Sequence, residues 1–101
     1  MDKKLKAKWV KALRSGKYEQ AHGAMKGGGA YCCLGVLREI IAPKSRAMAA
    51  CGEYLGPTHA EKAGLDMKQM EHLARMNDGS TTKGIERHSF RQIADYIEAK
   101  L

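Results

Sequence analysis

A chain of 101 residues with 44% hydrophobic content has room for one modest core that needs no covalent staples, so a single compact domain over 1–101 is expected. It holds no apolar run long enough to cross a membrane, and its three cysteines, an odd number, fit a reducing, cytoplasmic compartment better than a disulfide framework. The net charge of +7 is lopsided: residues 1–50 carry eleven Lys and Arg against three Asp and Glu, a balance of +8, and residues 51–101 carry seven against eight, a balance of −1. Such a field suits a polyanion or an acidic protein surface, or serves solubility alone. The basic start is followed by no long apolar segment with a cleavage site, so no secretory signal is expected.

Residues 2–15 read as an amphipathic helix with Leu5, Trp9, Ala12 and Leu13 on its apolar stripe and Val10 at the edge. Lys3, Lys4, Lys6, Lys8, Lys11 and Arg14 fill the rest. Lys11 and Arg14 suit the C-terminal end of the helix dipole, whereas Lys3 and Lys4 sit at its wrong end with only Asp2 to offset them. Either the lysines answer to a partner or they form a solvated face anchored by one tryptophan. Gly16 is a left-handed cap candidate. Tyr18–Ala24 is expected to be extended, with Ala30-Tyr31-Cys32 pairing back against it and Gly27–Gly29 at a hairpin tip near Lys26.

Tyr31–Ile41 is the densest apolar run and predicts the central helix. Cys33, Leu34, Leu37, Ile40 and Ile41 share one side, Val36 widens it, and Arg38 and Glu39 mark the wet edge. Gly35 costs about 1 kcal/mol inside a helix, which suits either a close backbone neighbour or a frayed first turn. Pro43 stops the helix near Ala42. Residues 43–57 read as a short helix capped by Ser45 and ended by Gly52, or as an ordered loop, with Tyr54 and Leu55 docking back. His59–Ala63 suits one more helical turn, which Gly64 breaks. Asp66 with Gln69 forms a capping-box pattern for a helix from Met67 to about Met76, with Met70, Leu73, Ala74 and Met76 or Asn77 inward. Asn77-Asp78-Gly79 ends it, and Ser80–Gly84 is a polar loop. Ser89 with Gln92 repeats the capping box for a last helix whose inner face is Phe90, Ile93, Ala94, Ile97 and Leu101. The fold class expected is α+β, mostly helical, with four or five helices and at most a short β-hairpin before the central helix.

Four pieces of the chain, Trp9 to Tyr18, Tyr31 to Leu37, Met76-Asn77-Asp78-Gly79 and Phe90 to Glu98, carry a resemblance. They resemble a family of small, largely uncharacterised phage and bacterial proteins. Its signature runs Trp-x-x-Ala-Leu-Arg-Ser-Gly, Cys-Cys-Leu-Gly-Val-Leu and Ile-Ala-x-Tyr-Ile. Arg38 stands where that pattern often has another cysteine, which weighs against a cysteine cluster as the functional centre. The resemblance implies a phage or prophage accessory protein and supplies no catalytic residues.

Cys32, Cys33 and Cys51 with His22, His59, His72 and His88 invite a zinc site, but no C-x₂-C pair or paired-histidine spacing is present. Gly27–Gly29 lacks phosphate-loop spacing, and Asn77–Ser80 lacks the alternating ligands of a calcium loop. No cofactor or metal is expected. Cys32 at a helix start suits a lowered pKa and a nucleophile role, which keeps a small cysteine enzyme as an alternative. The groups with the clearest chemistry are Lys4, Lys8, Lys11, Arg14, Lys17 and Lys26, which neutralise phosphate or carboxylate without reading sequence. Tyr18 and Tyr31 are candidate stacking rings. The expected function is non-catalytic: binding, and modulating or inhibiting, a host protein or nucleoprotein complex, with nucleic-acid processing or antiviral defence as settings. Direct DNA or RNA binding is the alternative, and no membrane role is expected.

Overall fold

The computed structural model describes residues 1–21, 26–27 (backbone), 30–42, 55–80, 82 and 84–101. Asp2 starts the first helix, α1 (Lys3–Arg14): its carboxylate accepts the Leu5 N–H at 2.8 Å, one of the donors that a helix start leaves open. Trp9, Val10 and Leu13 are its buried residues, and Gly16, at φ +75°, follows the C-cap Ser15.

Three two-residue strands come next, β1 (Glu19–Gln20), β2 (Lys26–Gly27) and β3 (Ala30–Tyr31), with β3 in the middle. β2 pairs antiparallel with β3, Lys26 opposite Tyr31, and β1 pairs parallel with it, Gln20 opposite Tyr31. A hairpin does precede the central helix, but its first arm is Lys26–Gly27. The Tyr18–Ala24 stretch expected there contributes the other edge instead. Closing over two residues costs less chain entropy than pairing back over the nine between Gln20 and Ala30, so the local arm takes the antiparallel edge.

The central helix α2 (Cys33–Ile41) buries Cys33 through Arg38 in one unbroken run, so its first half is covered on every side. Arg38 was expected at the wet edge. It is instead 6% exposed, and its Nε–H donates to Nδ1 of His59, in α3 (Pro57–Ala63), at 3.2 Å. The helical turn expected at His59–Ala63 thus begins earlier, with Pro57 in its first turn. Gly64, at φ +75°, ends it where the chain start lies: Ala63 O accepts the Asp2 N–H at 2.9 Å.

α4 (Met67–Asp78) carries the expected capping box from Asp66 and Gln69 but runs two residues past Met76. Asn77 therefore sits inside the helix rather than in a turn. At the end of α4, Ser80 and Ile85 exchange both backbone hydrogen bonds at 2.8 Å. α5 (Phe90–Lys100) starts from the Ser89–Gln92 capping box and buries Phe90, Ile93, Ala94 and Ile97.

α1 packs mainly on α5 and α2, and α4 closes on α2 and α5. Trp9, Cys33, Leu34, Val36, Leu37, Leu73, Ile93 and Ile97 lie at the centre of one shared hydrophobic cluster, which Leu55 and Leu65 also join. The radius of gyration, 12.3 Å, is close to the about 13 Å of a folded 100-residue chain. The fold is α+β and mostly helical, with five helices among the described residues. The Ser45–Gly52 element, Tyr54, His22, Cys51 and the Gly28–Gly29 part of the hairpin tip lie outside the described residues.

Candidate interaction surface on the first helix

The double cysteine is interior. Cys32 is 4% exposed and Cys33 is fully buried. Cys32 is the N-cap of α2, and its sulfur accepts the Gly35 N–H at 3.4 Å. A helix start ordinarily favours a thiolate, but here burial dominates. Burial pushes the Cys32 thiol up to about 11, with the Gly35 and Leu34 N–H groups only partly offsetting it. Cys33 is raised well above its ordinary value, first by burial and then by its neighbour Cys32. The lowered pKa expected for Cys32 is therefore overturned. Desolvation of the charged form outweighs a weak sulfur hydrogen bond.

The polar group that organises this interior is Asn77, which the sequence offers both as an alternative to Met76 on the inner face and as the start of the terminating turn; it is fully buried within α4. Its Oδ1 accepts Gln20 Nε2–H at 2.9 Å and the Cys33 N–H at 3.2 Å, and its Nδ2 donates to Ala21 O at 2.7 Å and Asp78 Oδ1 at 2.8 Å. Gln20 also donates to His88 O at 2.7 Å, and the His88 N–H donates to Met76 O at 2.7 Å. One side chain thus joins β1, the α2 start and the α4 end. Trp9 adds a tie from α1, its indole N–H donating to Cys33 O at 2.8 Å.

His72 and His88 share an open cleft of about 530 Å³ with Met76, Gln92 and Tyr96. The His72 and Tyr96 ring centroids are 5.1 Å apart, and His88 Nδ1 is buried with no hydrogen-bond partner among the described residues. Among the described residues no three His, Cys, Asp or Glu side chains are placed to hold a metal.

The basic groups lie elsewhere. Lys4, Lys8 and Lys11 are exposed, and at about 100° per residue they fall within about 60° of one another on the outer side of α1. Arg14 is on the same helix but engaged: it donates to Asp95 Oδ1 at 2.7 Å and to Glu98 Oε2 at 2.9 Å, and these bonds, Glu98 first, raise its pKa further. Asp95 and Glu98 stay exposed while linking α5 to α1 in this way. Lys17 is exposed, with its Nζ 5.7 Å from the Tyr18 ring centroid. Lys26 lies in β2, where the backbone alone is described. Tyr18 and Tyr31, the candidate stacking rings, are half-buried and meet edge to face at 5.1 Å. The sequence-predicted set is therefore a core of three lysines on one stripe, plus a clamped arginine and two groups beyond the helix.

A groove beside that stripe was not foreseen. It has a volume of about 790 Å³ and runs along α1 past Lys3, Lys6, Ala7, Val10 and Lys11, ending at Arg14, Ser15 and Glu98. The one signal for it in the sequence is Ala7, a small apolar residue among lysines on the face opposite Trp9.

No curated protein and no solved structure matches the chain. A family model described as "Domain of unknown function (DUF8296)" matches residues 1–54, a stretch that holds α1, the three strands and α2. With more than half of its 101 residues matched, the chain belongs to that family.

Proposed function

We propose that the protein is a non-catalytic binding module of the phage or prophage accessory kind. It docks through the outer face of α1 on an acidic site of a host macromolecular complex in the cytoplasm, and modulates or inhibits that complex. The observation that carries this reading is the state of the α1 lysines. Lys3, Lys4, Lys6, Lys8 and Lys11 share a helix with no acidic residue, and none has an ion-pair partner among the described residues. Folding gains nothing from Lys3 and Lys4 at the positive end of the helix dipole. An external anion does gain from them, because clustered positive charge speeds encounter and favours one orientation. The withdrawn thiols of Cys32 and Cys33 support a role without chemistry at that segment.

Mechanism on this reading is electrostatic steering followed by steric blocking of a site that otherwise holds phosphate or carboxylate. The test is affinity capture from host lysate, with and without nuclease, using the wild-type chain and a Lys4→Glu/Lys8→Glu/Lys11→Glu variant. The expected result is a protein captured equally in both lysates and lost with the variant. Capture that disappears with nuclease replaces this reading with direct nucleic-acid binding.

A further inference from the structure

The groove along α1 has a chemistry that the lysine stripe alone does not. It is lined by the apolar Ala7 and Val10 and by Lys3, Lys6, Lys11 and Arg14, side chains that join methylene stems to charged heads. Glu98 closes one end and is already bonded to Arg14. The free positive charge therefore lies on Lys3 and Lys6, toward the N-terminal end of α1 where the helix dipole adds to it, and on Lys11 in its last turn.

We infer that this groove seats an acidic amphipathic helical segment of a partner protein. One or two apolar side chains sit over Ala7 and Val10, and carboxylates pair with Lys3, Lys6 and Lys11. The inference rests on the docking reading above and names its partner class. Charge complementarity selects an acidic occupant, and the apolar lining selects a protein. A phosphate backbone satisfies the lysines but has nothing to place over Ala7 and Val10. A membrane surface needs a wider apolar stripe than these two residues give. The span from Lys3 to Arg14 is about three helical turns, a length that accepts apolar anchors at i, i+3 or i+4, and i+7.

The probe is a synthetic peptide of about 14 residues, with leucines at that spacing and glutamates elsewhere. It is titrated into isotope-labelled protein and followed by amide chemical shifts. Parallel titrations use the same peptide with its leucines changed to glutamine, a short DNA duplex, and phosphatidylglycerol vesicles. The expected result is at least about tenfold tighter binding of the leucine peptide than of the glutamine peptide. Shifts centre on Ala7, Val10 and Ser15. Ala7→Glu, an exposed change to a good helix former, weakens binding about tenfold or more while leaving thermal unfolding unchanged. Equal affinity for the two peptides, shifts centred elsewhere, or binding to DNA or vesicles alone overturns the inference. Peptide failure with lysine-dependent lysate capture intact overturns the groove assignment only. Loss of lysine dependence in the capture overturns the docking reading and this inference with it.

Discussion

Asn77 makes four hydrogen bonds without reaching solvent, and each replaces a bond that water cannot supply there. Asn77→Ala leaves the Cys33 N–H unpaired in the interior and takes a donor from the half-buried Ala21 O, which costs about 2–4 kcal/mol and shows as a lower urea midpoint. Cys32 makes a prediction about pH. Its thiol ionises near 9.0 when unfolded and at about 11 when folded, so between these values the unfolded chain binds fewer protons. The stability carried by the neutral thiol is complete below pH 9 and is lost as pH rises toward 11. Cys33, raised by the same burial, adds to it with the same sign. The urea midpoint falls across that window, and Cys32→Ala flattens the fall. Gly64 is a backbone case. A Cβ there sits 3.1 Å from Met1 Cα at φ +75°, so Gly64→Ala costs about 1–2 kcal/mol, read from thermal unfolding.

Helix ends decide much at the scale of elements. α4 and α5 carry complete capping boxes, which is why their starts are legible at Asp66 and Ser89. α2 has no such signal. Its first turn is apolar, and it borrows a tertiary cap from Asn77 beside the weak one from Cys32. No local pattern announces a cap donated from 44 residues away. α1 shows the reverse case, with charges at its start that work against the helix. Lys3→Glu or Lys4→Glu stabilises the fold by about 0.3–1 kcal/mol at low salt, measured by urea unfolding. A loss of partner capture in the same variants separates the binding role of these lysines from any role in folding.

At the scale of the whole molecule, the family match ends at residue 54, yet the core does not. Trp9, Leu34 and Leu37 belong to one cluster with Leu73, Ile93 and Ile97. A fragment of residues 1–54 therefore lacks the α4 and α5 side of its core, and its circular dichroism shows no cooperative thermal transition. The clamp of Arg14 by Asp95 and Glu98 makes the same point at the surface. The acidic half of the chain compensates one end of the basic helix and leaves the other end open.

The helices were legible because apolar spacing and caps are local properties, stated within a few residues of each other. Trp9, Leu37, Ile93 and Ile97 are interior as their periodicity predicts. The lysine stripe was legible for the same reason, since Lys4, Lys8 and Lys11 define a face of α1 before any packing is known. Contacts between distant segments decided the rest. Burial of Arg38 and its bond to His59, the parallel pairing of β1, the Asn77 junction and the groove beside Ala7 each depend on which elements come to lie together. A side chain's environment is set by neighbours remote in sequence, so its solvation, partners and titration emerge only once the chain has closed on itself.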